Sequence, residues 1–340
     1  MATKSRTREN VRRGSFRVLV ADHIRLNEPV NILVTRNLPS SVMVRLHDLG
    51  SVDLYTEGAM PADVLKQRVA DKDALVCLMS DEIDKSVIDA GVRLKIVSNV
   101  AVGYNNIDHA YARSRGVVVT NTPDVLTESV AHFTWALILA ITRRLAEGDR
   151  LIRRGAWKTW GFDFMLGTEL KGKQLGLVGF GRIARAVAAR APAFGMRVGY
   201  TDIMTVEGPF ERMSLDRLLN TSDVVSLHVN LTPETRHLID KKAFARMKRS
   251  AYLVNTARGP VVDEAALVWA LEERLIAGAA LDVYENEPAV HPGLLPLENV
   301  MLVPHLASAT TDTRTAMANL AVDNVAAVLS GRPPLTPVLG

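Results

Sequence analysis

The chain has 340 residues, of which 48% are apolar and 23% charged, so it is long enough for two domains with sizeable cores. No apolar run approaches the ~20 residues that span a bilayer. The N-terminus also lacks the apolar centre of a secretory signal, so we expect a cytoplasmic protein with no membrane partner. The single cysteine, Cys77, excludes an intrachain disulfide, and without a cysteine–histidine cluster no metal site is predicted.

The net positive charge of the chain is accounted for by its N-terminus. The isoelectric point of about 9.2 is of the kind found in nucleic-acid-binding proteins. Residues 1–13 carry five basic side chains and one acidic, a net charge of +4 that equals the charge of the whole chain. We therefore predict no nucleic-acid partner. We expect residues 1–29 to form a basic, flexible extension, while a transit peptide, a nucleic-acid arm and an edge strand over residues 16–21 stay open.

Short β-branched runs alternate with helical patterns along most of the chain. This alternation predicts an α/β fold with parallel sheets built from βαβ units. The first group has five predicted strands, and the second has six, the number of a complete dinucleotide-binding sheet. The predicted strands cover residues 31–35, 51–55, 74–78, 95–99 and 117–120, then 174–179, 197–201, 224–228, 251–255, 279–283 and 300–303.

Two longer helical patterns flank the second group of strands. Residues 127–153 predict one long helix that crosses between the two groups, with basic residues near its C-terminal end. Residues 313–329 predict a final amphipathic helix. Because the six-strand unit is already complete, we expect this last helix to return to the first group.

A glycine-rich turn follows the strand at residues 174–179 and opens a helix predicted over residues 183–194. Gly179 would make the tight turn, and Gly181 would let the backbone approach a pyrophosphate. The helix that begins at Ile183 offers free N–H groups and the positive end of its dipole to phosphates. Arg182 would add a phosphate contact. This pattern predicts a bound dinucleotide, with a glycine turn that holds no ligand as the alternative.

Asp202 ends the second strand of this unit, 23 residues beyond Gly179. An acidic residue at this position accepts hydrogen bonds from the adenosine ribose and repels a 2′-phosphate. No arginine follows within several residues in the chain. The predicted cofactor is therefore NAD, with NADH preferred over NADPH, and a surface Asp that caps a turn is the alternative.

Three further polar residues follow the later strands. Arg258 comes just after the strand at residues 251–255, Asp282 ends the next strand, and His305 closes the last one. The carboxyl ends of parallel strands meet at one edge, which is where doubly wound sheets bind ligands. We expect these residues to lie together near the dinucleotide.

The chain resembles a known family over most of its length. It is similar to the D-isomer-specific 2-hydroxyacid dehydrogenases, and within them to the glyoxylate/hydroxypyruvate reductase branch, over about residues 30–338. The resemblance implies two Rossmann-like doubly wound parallel-sheet domains with a cleft between them, and usually a homodimer. It implies a substrate-binding domain of residues 30–122 plus 307–340 and a dinucleotide-binding domain of residues 123–306. The motifs that carry it are residues 102–108, 122–127, 255–259, 281–288 and 304–308, with the glycine turn.

The resemblance also implies catalytic roles. Arg258 would bind the carbonyl and carboxylate of the substrate, a task that suits a planar guanidinium. His305 would be the general acid/base, and Glu287 would pair with it and favour its imidazolium form. An ordinary surface charge, a solvated acidic loop and a turn histidine are the respective alternatives.

The resemblance implies a binding shell around these three residues. Backbone N–H groups of Val102 and Gly103 would bind the substrate carboxylate, Leu78 would line the substrate side, and Trp160 would reach the active site of a partner subunit. Core packing is an equal alternative for Trp160. Ala101 departs from the Ser that is frequent in this branch. The remaining cofactor contacts would come from Thr127, His228, Thr256, Ala257, Asp282 and Ser308, with Asp282 beside the nicotinamide amide.

The expected function is NAD(P)-dependent reduction of small 2-oxo acids, glyoxylate and hydroxypyruvate, to D-2-hydroxy acids by hydride transfer. A D-lactate or D-3-phosphoglycerate dehydrogenase is one alternative. A phosphorylated substrate would need more basic residues than the lone Lys85 that lies near residues 78–84. An NAD-sensing corepressor, which would be a binding protein, is the other alternative.

Overall fold

The computed structural model describes residues 30–339, so the expectations for residues 1–29 lie outside the described residues. Two fully parallel sheets of five and seven strands form the architecture, with helices between their strands. When the strands are numbered in chain order within each sheet, the first sheet has the order 2-1-3-4-5 and the second has the order 3-2-1-4-5-6 with one further strand at its edge. Both orders are those of doubly wound sheets. The predicted α/β fold is confirmed.

The first sheet has the order β2-β1-β3-β4-β5. Two of its three interior strands, β3 and β4, are buried along their whole length, as expected for a sheet with helices on both faces. The strands are β1 (Asn31–Val34), β2 (Ser51–Leu54), β3 (Ala74–Cys77), β4 (Ile96–Asn99) and β5 (Val118–Thr120), and the helices are α1 (Ser40–Leu49), α2 (Ala62–Val69), α3 (Lys85–Ala90) and α4 (His109–Ser114).

The predicted single crossover helix is wrong, because two helices replace it. α5 (Thr127–Thr142) is apolar and largely buried, whereas no residue of α6 (Leu145–Arg153) is buried. Arg144 separates them with a left-handed backbone (φ 55°), and its guanidinium pairs with Glu147 in the first turn of α6 at 2.6 Å. The chain thus leaves the core at this arginine and begins a surface helix.

The second sheet has the order β12-β11-β10-β9-β6-β7-β8. Six of these strands were predicted. The edge strand β8 was not, because it is only two exposed residues long and carries no apolar pattern. The strands are β6 (Gln174–Val178), β7 (Arg197–Thr201), β8 (Glu211–Arg212), β9 (Val224–Leu227), β10 (Tyr252–Asn255), β11 (Gly278–Leu281) and β12 (Val300–Leu302). The helices are α7 (Arg182–Arg190), α8 (Leu215–Thr221), α9 (Lys241–Arg246) and α10 (Glu264–Glu272).

The last helix, α11 (Thr311–Leu329), packs on the first sheet. Met317, Ala321 and Val325 on its buried face join the same apolar core as Ile32 and Ile96 of β1 and β4. The chain therefore leaves the second sheet after β12 and returns to the first, as the sequence predicted. Both ends of the described chain thereby contribute to one unit, and the segment between β12 and α11 connects the second sheet to the first.

No helix among residues 30–339 has the length and apolar content needed to cross a membrane.

Candidate active site

The carboxyl ends of strands from both sheets meet at one cleft. Gly179 follows β6, His228 follows β9, Arg258 comes shortly after β10 and His305 comes shortly after β12. The cleft has a volume of about 620 Å³. The predicted residues that line it are Leu78, Val102, Gly103, Ile183, His228, Thr256, Ala257, Arg258, His305 and Ser308.

Arg258 is held by its own turn and by the first sheet. The side-chain amide of Asn255 donates to the Arg258 carbonyl at 2.9 Å, which closes the turn after β10. The Arg258 guanidinium donates from Nε to Oδ1 of Asn105 at 3.0 Å and from Nη1 to the Ala257 carbonyl at 2.7 Å. Burial lowers the pKa of Arg258, and the nearby Glu287 opposes that shift. The guanidinium remains a cation at neutral pH.

Gly103 leaves the space that Arg258 occupies. A Cβ atom at residue 103 would fall 1.6 Å from Nη2 of Arg258. The carbonyl groups of this turn are fixed, because Asn121 donates to the Val102 carbonyl at 2.7 Å and Asn99 donates to the Gly103 carbonyl at 2.9 Å. The N–H groups of Val102 and Gly103 have no acceptor within residues 30–339. Two free backbone donors therefore lie beside a guanidinium, an arrangement that suits a carboxylate.

His305 and Glu287 form a hydrogen-bonded pair. Nδ1 of His305 lies 2.9 Å from Oε2 of Glu287, and the backbone N–H of Tyr284 donates to Oε1 at 3.0 Å. Burial alone would raise the pKa of Glu287. The hydrogen bond and charge of His305, together with Arg258, outweigh burial and lower that pKa below 4.5. Glu287 is thus ionised at neutral pH and holds the ring by Nδ1, which leaves Nε2 for proton transfer.

Asp282 supports the turn that carries His305. Its side chain is fully buried, and its carboxylate accepts the N–H groups of Leu306 at 2.6 Å and Ala307 at 3.0 Å. Burial raises the pKa of Asp282, although these two hydrogen bonds oppose the shift. His305 itself has a left-handed backbone (φ 53°), so this anchoring fixes an uncommon conformation. The predicted contact of Asp282 with a nicotinamide amide stays a prediction.

The glycine turn fits a dinucleotide. Gly179 has φ +87°, and a Cβ there would fall 2.6 Å from the His228 carbonyl oxygen, so no side chain is accommodated. A Cβ at Gly181 would meet nothing within 4 Å, which leaves open space at the N-terminus of α7 for a pyrophosphate. Arg182 pairs with Asp124 through Nε at 2.8 Å in this structure. Its predicted phosphate contact stays a prediction.

Asp202 lies beside this turn. Its Oδ2 accepts the N–H of Phe180 at 2.6 Å, and its Oδ1 accepts the N–H of Met204 at 2.8 Å. No arginine follows Asp202 within several residues in the chain. The fold nevertheless brings one beside it, because Nη2 of Arg212 donates to the Asp202 carbonyl at 2.8 Å.

The other predicted cofactor residues lie around the same edge. Nε2 of His228 lies 2.9 Å from Oγ of Ser226, and burial lowers the pKa of His228 to about 4, so this imidazole is neutral at physiological pH. The hydroxyl groups of Thr256 and Thr134 are 3.0 Å apart. Thr127 begins α5, next to Leu126, which lines the cleft.

Two residues of the cleft were not predicted from the sequence. Asn105 contacts Arg258, and it lies within a recognised motif, so its amide acceptor was a usable signal. Arg314 lines the cleft from the first turn of α11, where its Nε donates to the Ser308 carbonyl at 3.3 Å. Nothing in the local sequence distinguishes Arg314 from a solvated helix residue.

Trp160 lies away from the cleft of its own chain and is 73% exposed. It belongs to an exposed apolar segment that also includes Trp157 and Phe162. Core packing, the alternative considered for Trp160, does not occur in the described chain. Among residues 30–339 no group of three or more histidine, cysteine or acidic side chains is placed to hold a metal ion.

Comparison with known proteins agrees with this geometry. The sequence model of the D-isomer specific 2-hydroxyacid dehydrogenase NAD binding domain matches residues 135–307. The chain belongs to this family. The family model spans the glycine turn and the segments that carry Arg258, Glu287 and His305.

Curated relatives of this dehydrogenase include glyoxylate reductases from archaea. That of Thermofilum pendens is 48% identical over 314 residues, covering 89% of this chain and 92% of the relative. That of Thermococcus onnurineus is 47% identical over 315 residues, covering 90% and 94%.

Solved structures of similar proteins share the fold. A protein from Thermus thermophilus is 44% identical with a TM-score of 0.88, covering 91% of this dehydrogenase and 100% of that chain. An NADPH-dependent glyoxylate/hydroxypyruvate reductase from Sinorhizobium meliloti, in complex with NADP and malonate, is 36% identical with a TM-score of 0.83, covering 92% and 97%.

Proposed function

We propose that this dehydrogenase reduces glyoxylate and hydroxypyruvate to the corresponding 2-hydroxy acids. The observation that carries the proposal is the grouping of Arg258, two free N–H donors and the His305–Glu287 pair around one cleft. These groups complement the carboxylate and the carbonyl of a 2-oxo acid. Relatives that are 47–48% identical over about nine-tenths of the chain bear the name glyoxylate reductase, which supports the same substrate class.

The substrate would be oriented by charge and by backbone. Its carboxylate would accept the N–H groups of Val102 and Gly103, and the Arg258 guanidinium would bridge the carboxylate and the carbonyl oxygen. Asn105, which holds Nε of Arg258, would keep the guanidinium plane fixed. Leu78 would limit the size of the substituent on the carbonyl carbon.

Proton transfer would be the task of His305. NADH, when bound at the glycine turn of Gly179, would supply the hydride that the carbonyl carbon accepts. The imidazolium of His305 donates its Nε2 proton to the carbonyl oxygen, which completes the hydroxyl group, and the ring becomes neutral. Glu287 holds Nδ1 throughout, so the ring keeps its orientation. A positioned acid of this kind contributes roughly 10²–10⁴ in rate.

NADH is the proposed preferred cofactor, because Asp202 lies beside the glycine turn where the adenosine ribose would bind. A homodimer is the proposed assembly, in which the exposed segment around Trp160 would contact the second copy. The proposed partners are small 2-oxo and 2-hydroxy acids.

The substrate class is tested by a turnover panel with glyoxylate, hydroxypyruvate, pyruvate and phosphohydroxypyruvate, each with saturating NADH. Arg314 adds a second cation to the cleft, which is why a phosphorylated acid belongs in the panel. We expect glyoxylate and hydroxypyruvate to give the highest kcat/KM. A clear preference for phosphohydroxypyruvate or pyruvate would instead indicate that the chain has the substrate specificity of another member of the family.

A further inference from the structure

Two loops of the second sheet carry residues that the proposed reduction needs. The arginine turn (residues 255–260) carries Arg258, and the glutamate loop (residues 283–288) carries Glu287, the partner of His305. Because both loops act on one substrate, the reduction depends on the spacing between them. Three residues that do not line the cleft connect these loops: Glu264, Glu285 and His237.

The glutamate loop lies directly on the arginine turn. A Cβ atom at Gly259 would fall 1.8 Å from the carbonyl carbon and oxygen of Tyr284 and 2.5 Å from the nitrogen of Glu285. The peptide between Tyr284 and Glu285 therefore occupies the space that a side chain at residue 259 would need. The spacing of the two loops is set by where this peptide is held.

Glu264 and Glu285 hold each other by reciprocal hydrogen bonds. The N–H of Glu285 donates to Oε1 of Glu264 at 2.8 Å, and the N–H of Glu264 donates to Oε2 of Glu285 at 3.4 Å. Glu264 is buried at the start of α10, and burial raises its pKa, to which the charge of Glu285 adds. Neighbouring carboxylates repel each other, so a donor from another segment stabilises this arrangement.

His237 provides that donor and also contacts the arginine turn. Its Nε2 lies 2.5 Å from Oε1 of Glu285, whereas Arg236 approaches the same oxygen only at 3.4 Å. The backbone N–H of His237 donates to the carbonyl of Pro260 at 2.8 Å. His237 has a left-handed backbone (φ 51°), which is uncommon for a residue other than glycine. One residue thus binds the glutamate loop by its side chain and the arginine turn by its backbone.

We propose that His237 is a positioning residue for the reduction, which acts through Glu285 to fix the spacing between the arginine turn and the glutamate loop. This role rests on the proposed function, in which both loops act on one substrate. His237 does not line the cleft, so it affects the reaction through these contacts alone. A misplacement of about 1 Å at a reacting centre can cost about 100-fold in rate, so the loss of this connection should lower kcat.

The test compares His237→Leu, which has no donor, with His237→Gln, whose amide places a donor near the position of Nε2. Both variants keep a side chain at the left-handed position, so they differ chiefly in the donor. Glu285→Gln removes the charge of the partner, and a double variant combines His237→Leu with Glu285→Gln. Arg236→Gln is the matched control, because the Arg236 side chain is 56% exposed and approaches the same carboxylate at 3.4 Å.

We expect His237→Leu to lower kcat for glyoxylate about 10–100-fold at a temperature at which the variant is folded, with the NADH affinity within a few-fold of wild type. Glu285→Gln should lower kcat several-fold, and His237→Gln should recover most of the loss because it restores the hydrogen bond. The double variant should lose no more than the worse single variant, because both changes break the same contact. Arg236→Gln should keep the wild-type kcat.

Three results would overturn the role of His237. A His237→Leu variant with a lower Tm but the wild-type kcat would make His237 a structural residue only. Losses in kcat that multiply in the double variant would show that His237 does not act through Glu285. Weaker NADH binding with an unchanged kcat at saturating NADH would assign His237 to cofactor binding. If His237→Leu does not fold, a wild-type kcat in Glu285→Gln overturns the role instead.

The wild-type chain separates this role from the proposed function. If the wild type reduces glyoxylate and His237→Leu has an equal kcat, only the role of His237 is contradicted. A wild type that reduces no 2-oxo acid contradicts the proposed function and, with it, this role.

Discussion

Nη2 of Arg258 lies where a side chain at residue 103 would begin, 1.6 Å from the position of a Cβ atom on Gly103. Gly103 follows a strand of the first sheet, and Arg258 follows a strand of the second. The guanidinium is also tied to the first sheet by Asn105. The proposed substrate arginine is therefore positioned by contact between the two sheets, and its geometry depends on both.

Gly103→Ala should displace the Arg258 guanidinium. We expect kcat/KM for glyoxylate to fall by about 10–100-fold, the loss of one or two charged hydrogen bonds, while NADH binding changes little. Gly148→Ala is the control, because a Cβ there would come no closer than 3.9 Å to another side chain. Steady-state kinetics and NADH fluorescence titration measure the two effects. Full activity in Gly103→Ala would mean that Arg258 does not bind the substrate from this position.

Glu287→Gln should lower kcat and remove one source of acid sensitivity. The pKa of Glu287 is lowered, so its carboxylate stabilises the pair with His305 above about pH 4.5, and this contribution is lost as pH falls through that lowered pKa. The amide of the variant has no charge to lose, so its kcat should not show this decline at acidic pH. We expect kcat at neutral pH to fall about 10–100-fold, because the charged partner of the ring is removed. A variant with the kcat and the acidic pH dependence of the wild type would argue against the pairing role.

His228→Gln should remove part of the acid sensitivity of the fold. The pKa of His228 falls from 6.5 to about 4 on burial, so between these values the unfolded chain takes up a proton that the folded chain does not. Stability should therefore fall as pH drops from 7 to 5, by up to about 2 kcal/mol from this group. Urea unfolding at both pH values measures the difference. The same loss in His228→Gln as in wild type would assign the acid sensitivity to other groups.

Asp202→Asn should raise the use of NADPH relative to NADH. The substitution removes the charge but keeps an oxygen for one of the two backbone donors, Phe180 and Met204. We expect the ratio of kcat/KM for NADPH to that for NADH to rise about tenfold or more, since repulsion of a phosphate is relieved. If the ratio stays constant, Asp202 does not face the ribose.

Trp160→Ala tests the exposed segment around this residue. If the ring enters the site of a second copy, the variant should raise KM for glyoxylate several-fold and leave NADH affinity unchanged, because the ring does not line its own cleft. Light scattering of wild type and variant gives the assembly in each case. A monomeric wild-type chain would exclude this role for Trp160.

Most of the regular secondary structure was predicted from the sequence. Strand positions were correct to within one or two residues, because buried parallel strands are short β-branched runs with clear ends. The break between α5 and α6 was not predictable, since Arg143 and Arg144 carry none of the glycine or proline that usually ends a helix. There the chain direction is decided by packing of α5 against the core.

The site was predictable where residues follow strands. Arg258 and His305 were placed at one edge by counting strands, and Glu287 came from the family motif. Contacts between segments that are distant in the chain could not be predicted from the sequence. Examples are the contact of Asn105 with Arg258 and that of Arg212 with Asp202. Each depends on a register or on an approach of the two sheets that no local pattern encodes.

Proton donation by His305 is tested by the kcat of His305→Ala for glyoxylate at saturating NADH, measured with the NADH affinity of the same variant. We expect kcat to fall by about 10²–10⁴ while the NADH affinity stays within a few-fold of wild type, because only the proton donor is removed. Reduction of glyoxylate by this variant at the wild-type rate would show that His305 is not the proton donor.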